Sequence, residues 1–474
     1  GAPPLGEVIE RIGMGPAQCR IWVLTGGVFV ADGAEMLLIG SVTRAVSDEW
    51  HMTSWQQGAV VSVVFVGLLI GNMLSGVLGD VFGRRLPILL SYCGVFLFSV
   101  WSAMSAGPLE LAAIRLVVGV SIGIGQPAVY ALTSETTPAR WRIVCCVFLS
   151  IGFVVGELWS AALIWYDDPT MLNLRWRWVL VMGVLPTASL AMLAVCLLPE
   201  SPSYLVVKER RTEALQVLES MRDQNRVQGT PVEFKAQDTF ECSSNARSWL
   251  FANRIIWGEK FFCSTLVVLF AMLTANIVYY GSLYAFPQVA TDIDFGMSAA
   301  TTLAIGAGWE AVGVLLTLAG LYFPRIPMMK GSFLAMFASL VAFAVGVTGS
   351  SRLVSSEAEA MFFFAMLHGG YLCIKISVNV GFSVTYQYAA EIYPTVARTT
   401  GVSTSAAGAR VGGFVAPLFF GLFHEATGGH AAFFVFLSAF CVVAACLVAI
   451  LPFETFGRAL DSDIDETGPL VAKA

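Results

Sequence analysis

Twelve apolar stretches, each long enough to cross a lipid bilayer as a helix, recur along this chain and leave it little freedom in how it can fold. A spanning helix needs about 20 apolar residues, and in hydrocarbon a segment must satisfy its own backbone hydrogen bonds, which only helices and closed barrels achieve. The stretches run approximately over 21–42, 54–78, 86–106, 108–133, 143–166, 178–198, 260–285, 298–322, 330–349, 361–388, 399–420 and 430–452. Only 13% of the residues are charged, against about a quarter in soluble domains. The expectation is an all-α membrane protein with twelve transmembrane helices.

Six stretches precede a polar segment and six follow it, so the chain divides into an amphipathic segment 1–20, a six-helix bundle 21–198, a connector 199–259, a second six-helix bundle 260–452 and a tail 453–474. The two bundles are expected to be pseudo-symmetric. Lys and Arg concentrate in the even-numbered loops and tails, which places the connector and both termini on the cytoplasmic side of a plasma or vesicle membrane. Glu7, Ile9, Glu10, Arg11 and Ile12 precede a Gly13 break, a pattern for an amphipathic helix on the inner membrane surface, with a disordered tail as the alternative. The cysteines lie mostly inside the apolar stretches and form no disulfide framework. No nucleophile constellation, phosphate loop or metal-ligand spacing points to an enzyme, a metal site or another cofactor, and no basic, aromatic-interleaved patch points to nucleic acid. The expected partners are the bilayer, a small organic ion and protons, with the chain acting as a monomer.

Charged residues inside the stretches carry the functional argument, because ionisable groups in a membrane interior are costly. Asp32 and Glu35 lie three positions apart on one face of the first stretch. Loss of water favours the neutral form of a carboxyl group, which would let either of them bind and release a proton; the alternative is a fixed pair with an internal arginine. The fourth stretch holds Arg115, Gly119, Gly123, Gly125, Gln126 and Pro127, the fifth Glu157, the eighth Glu310, the tenth His368 and Lys375, and the eleventh Arg410. In the seventh, Asn276, Tyr280 and Tyr284 share a helical face, with Tyr279 beside them. Arg115 and Lys375 occupy nearly equivalent repeat positions and suit an anionic substrate, unless both neutralise Asp32, Glu35, Glu157 or Glu310. His368 reads as a satisfied core residue.

Between the second and third stretches runs Gly76-Val-Leu-Gly-Asp80-Val-Phe-Gly83-Arg84-Arg85. Gly76 would let two helices approach closely and Gly83 would permit the tight turn. Asp80 would pair with a helix end or with bases, and Arg84 and Arg85 would hold the cytoplasmic side. Glu135 with Arg140, and Glu391 with Arg398, end the fourth and tenth stretches; Glu200 and Glu454 follow the sixth and twelfth. These residues could form a latch between the inner ends of the bundles. At the corresponding place in the second half, Tyr322 replaces the Asp and the double-basic turn has mostly gone, leaving Pro324-Arg325. A latch there should be weak or differently built.

The loop resembles the signature of the major facilitator superfamily. With Ile12-Gly13-Met14-Gly15, Ala31-Asp32, Ser62-Val63-Val64-Phe65-Val66-Gly67, Trp176-Arg177-Trp178, Tyr279-Tyr280-Gly281 and Glu391-Ile392-Tyr393-Pro394-Thr395, the chain is similar to the group of synaptic vesicle 2-related proteins and organic ion transporters. The resemblance implies two bundles around a midplane cavity that opens alternately to either side. The reading that follows is a secondary active transporter of a small organic anion, an aromatic or nicotinate-like monocarboxylate, coupled to protons. The alternatives are a facilitative carrier of organic cations or sugars, and a non-transporting vesicle-membrane binding protein.

Overall fold

The computed structural model describes residues 3–227, 231–234, 251, 253–350, 356–393 and 395–455. Its α-helices, where both ends are described, are α1 (Leu5–Ile12), α2 (Pro16–Trp50), α3 (Ser54–Phe82), α4 (Arg85–Ser102), α5 (Pro108–Thr136), α6 (Arg142–Asp167), α7 (Trp176–Gly183), α8 (Leu185–Leu197), α9 (Pro202–Val207), α10 (Arg211–Gln224), α11 (Glu259–Asp292), α12 (Ala299–Leu316), α13 (Arg325–Ser350), α14 (Glu357–Ile392), α15 (Thr395–Thr427) and α16 (Ala431–Val448). Among the described residues 12 helices are long and apolar enough to cross a membrane, with α7 and α8 forming the sixth crossing together. Several crossings exceed the expected stretches, α2 by beginning at Pro16 and ending at Trp50. Starts at one face are written in side chains: Thr53, Ser298 and Ser356 accept the backbone N–H of Gln56, Thr301 and Glu359, the pattern of an N-cap.

Apolar residues do not separate bundle packing from lipid exposure here, so close helix approach depends on small residues. Gly67 and Gly71 on α3 meet Gly119 and Gly123 on α5; a Cβ at Gly119 would lie 2.1 Å from the Val64 carbonyl oxygen. Gly76, expected to mediate such an approach, has open space where its Cβ would be. The contact is made further along the same helix. Gly119→Val is expected to destabilise the protein by about 1–3 kcal/mol through overpacking, seen as a lower thermal midpoint in detergent, with Gly76→Ala close to neutral.

The halves repeat each other's packing. α2 lies on α6 as α11 lies on α15, and α4 on α5 as α13 on α14; between the halves, α3 packs on α15, α6 on α12 and α2 on α11. The amphipathic helix α1 exists, with Leu5, Val8, Ile9 and Ile12 buried. Its apolar face is covered by Tyr204, Leu205, Leu218 and Met221 of the connector, so it caps a small cluster of protein instead of lying on lipid as expected. Asn225 secures the join: its Oδ1 accepts from Ala17 N at 3.0 Å and its amide donates to Gln18 Oε1 at 2.9 Å. The expected tail falls largely outside the described residues, as does the side chain of Arg398.

Candidate functional site

The internal charges sort into three groups, each held by helices that meet at the middle of the molecule. Arg115 on α5 donates to Glu35 on α2, and both side chains are almost fully buried, 1% and 3% exposed. One turn away from Glu35, Asp32 accepts from Gln126 Nε2 at 2.7 Å. The same Gln126 accepts from Arg410 Nη2 of α15 at 2.9 Å, and Arg410 Nη1 donates to the Tyr280 hydroxyl at 3.3 Å. Gln126 thus bridges an acid of one bundle to a base of the other.

The third group crosses the same seam on its other flank. Lys375 of α14 donates to Glu310 of α12 at 2.6 Å and lies 3.6 Å from Glu157 of α6, while the Tyr279 hydroxyl donates to Glu310 at 2.5 Å. All three charged side chains are buried. Both cations expected to attract substrate are therefore neutralised within the protein in this conformation. Arg410, by contrast, makes no ion pair among the described residues and its Nε has no partner.

Aromatic rings surround Arg410. Tyr280 packs edge-on against Phe65 with centroids 4.6 Å apart, and Tyr386 stacks obliquely on Phe382 at 4.6 Å. Tyr130, one helical turn from Gln126, is in electrostatic reach of Arg410 and Tyr386 and yet 43% exposed. Asn276 turns its amide to the Met272 carbonyl at 2.9 Å. Tyr284 does not join this group; it lines a separate cavity of about 180 Å³ at the opposite, far face, with Arg44, Gln57, Asp292 and His430. His368 has both ring nitrogens on carbonyl oxygens, of Phe364 at 3.0 Å and Phe295 at 2.9 Å.

The far face is closed. Arg44 of α2 donates to Thr291 and Asp292 of α11, and His430 joins Asp292 at 3.0 Å. Ser62 Oγ donates to the Phe414 carbonyl at 2.7 Å, and Ala300 N to the Pro169 carbonyl at 3.1 Å. Each of these bonds, His430 with Asp292 apart, joins one half to the other.

At the connector face the charged networks among the described residues stay within a half. Gly83, at φ +95°, turns the chain so that Arg84 N and Arg85 N donate to Glu200, at 2.8 and 3.3 Å. Arg84 reaches Glu135 at 3.4 Å and Asp80 at 3.0 Å, Ser201 donates to Glu135, and Arg85 donates to the Val195 carbonyl at 2.6 Å. Arg140 lies outside this set, over the Trp141 ring. The second half repeats it: Arg325 N and Ile326 N donate to Glu454 at 2.9 and 3.0 Å, Arg325 forks onto Glu391 at 3.0 and 3.1 Å, and Thr455 Oγ1 donates to Glu391 at 2.6 Å. The second network, expected from Tyr322 to be weak or differently built, is differently built: it lacks the Asp and keeps the buried contacts. Arg325 supplies the guanidinium, and Ser201 and Thr455 are equivalent.

Sequence reasoning missed Arg325, Tyr130, Tyr386 and the Arg44–Asp292 closure. Tyr130 stands four residues beyond Gln126 on the same helical face, and Arg44 and Asp292 close the first crossings of the two halves. Those spacings were available signals.

The model of the family described as "Sugar (and other) transporter" matches residues 30–465. Organic cation/carnitine transporter 7 of Arabidopsis thaliana is 28% identical over 97% of this chain and 96% of its own. The synaptic vesicle 2-related protein of Xenopus laevis is 27% identical over 96% of this chain and 81% of its own. Among solved structures, the xylose transporter XylE from E. coli, in a partially occluded inward open conformation, superposes with a TM-score of 0.72 at 16% identity, covering 93% of this chain and 99% of that one. The chain belongs to the sugar (and other) transporter family, as a major facilitator superfamily transporter of the synaptic vesicle 2-related group.

Proposed function

We propose that the protein carries a small organic anion, an aromatic or nicotinate-like monocarboxylate, together with protons by alternating access. Arg410 is the observation that carries this reading: a guanidinium at the seam of the bundles, with no ion pair among the described residues, walled by Tyr280, Tyr386 and Tyr130. Guanidinium recognises carboxylate with a planar fork, and tyrosines offer faces and edges to an aromatic ring. Asp32 would be the proton-coupling acid. A substrate carboxylate that takes Arg410 leaves Asp32 without its nearby positive charge, and the buried acid then favours its neutral form. Anion and proton enter together for that reason. Glu35, held by Arg115, fits the proton role less well, and Lys375 and Arg115 serve the substrate only through the charge balance they maintain. The cytoplasmic side is assigned to the connector face; for the arginine networks to latch the bundles there, groups held within one half in this conformation would have to reach across to the other.

A second reading, a carrier of organic cations, is favoured by the name of the Arabidopsis relative and by Asp32 facing the same interior. Uptake of labelled benzoate, nicotinate and tetraethylammonium into proteoliposomes separates the two. Benzoate or nicotinate uptake stimulated by an inward proton gradient, lost in Arg410→Gln and made insensitive to the gradient in Asp32→Asn, is the expected result. Gradient-independent uptake of tetraethylammonium alone would replace it with the second reading.

A further inference from the structure

The three midplane cations and four midplane acids do not balance, and the pairing shows where the excess lies. Glu35 is matched by Arg115. Asp32 is matched through Gln126 by Arg410. Glu157 and Glu310 share the single ammonium of Lys375. Two ionised carboxylates and one ammonium would leave a net negative charge in a site from which water is excluded, and an uncompensated buried charge costs several kcal/mol.

Glu157 shows how the excess is resolved. Its side chain is 1% exposed, and neither of its oxygens accepts a hydrogen bond, while Glu310 accepts from both Lys375 and Tyr279. The groups facing Glu157 are Glu310 from α12, Lys375 and Tyr371 from α14, and Tyr279 from α11. Asp32 and Glu35 on α2 are held by their own partners. The Glu157 and Glu310 carboxyls both face the one ammonium of Lys375, at 3.6 and 2.6 Å, and a proton on one of them leaves a single carboxylate for that single cation.

We infer that Glu157 and Glu310 form a proton-binding site across the seam of the two bundles, holding one proton that rests on Glu157 and is separate from the proton taken up at Asp32. The site does not depend on which ion the carrier moves. Its consequence is mechanical. With Glu157 neutral, the α6 side of the seam carries no charge and the Glu310–Lys375 pair on the other side is balanced, so the bundles can part without exposing an unmatched ion to the bilayer interior. Loss of the proton would tie Glu157 to Lys375 and hold the seam shut.

The test is infrared spectroscopy of the purified protein in detergent at neutral pH, reading the C=O stretch of a carboxylic acid resistant to deuterium exchange. Wild type and Asp32→Asn should show this band. Glu157→Gln and Glu310→Gln should each abolish it, because either change leaves one carboxylate for one ammonium. Lys375→Met should add a second band, because both acids must then be neutral. A band that survives in both Gln variants, or that is absent from the wild type, overturns the inference. If Lys375→Met does not fold, the two isosteric Gln variants decide alone.

Discussion

Arg115→Leu is expected to prevent the N-terminal bundle from assembling, and adding Glu35→Leu to the same chain is expected to restore it. The pair is fully enclosed, with Arg115 1% exposed. Removing one partner of a buried ion pair leaves a charge without water or counter-ion and costs about 3–5 kcal/mol, whereas replacing both with apolar residues is often neutral or stabilising. Single variants should therefore run as aggregates in size-exclusion chromatography, and the double variant as a monodisperse species with a midpoint near that of the wild type. A well-folded Arg115→Leu protein that merely fails to take up benzoate would refute this. Arg115 would then belong with Arg410 as a residue that meets substrate, as its sequence position suggested.

What the sequence revealed and what it hid divide along one physical line. Hydropathy is a local property, and each crossing must satisfy its own backbone, so the twelve helices and the two halves were legible residue by residue. The pairing of charges is not local. Asp32 and Glu35 share a face of α2, and nothing in the spacing says that Arg115 takes Glu35 while Asp32 is left to Gln126. Tyr284 shares a helical face with Tyr280, yet the helix is long enough for that face to run from the midplane group to the far-face cavity. α1 was legible as amphipathic, but the same pattern serves lipid and protein alike, and only the fold brings Leu218 and Met221 over it.

The second connector-face network was hidden for a different reason. The loop signature gives weight to Asp80, whose side chain is 77% exposed, and exposed ion pairs contribute about 0–1 kcal/mol. Its replacement by Tyr322 in the second half removes a minor contact and leaves the buried part of the arrangement, Arg325 with Glu391 and Glu454, in place. The element that makes the motif recognisable is thus not the one that holds the turn.

From this it follows that Arg325→Ala should be more damaging than Arg84→Ala, the reverse of what the two loop sequences suggest. Arg325 is the more buried guanidinium, 8% exposed against 20% for Arg84, and it meets Glu391 through two nitrogens where Arg84 meets Glu135 through one. Hydrogen bonds to charged groups are worth about 1.5–3 kcal/mol each, and loss of Arg325 leaves Glu391, among the described residues, with the Thr455 hydroxyl. The C-terminal bundle would lose the brace that fixes α13, α14 and the segment after α16 as one body, on which rocking against the other bundle depends. Lysine cannot supply a planar two-nitrogen fork, so Arg325→Lys should rescue little while Arg84→Lys rescues most. Thermal midpoints of the four variants in detergent, with benzoate uptake alongside, give the comparison. An Arg84→Ala midpoint below that of Arg325→Ala would return the weight to the first-half signature.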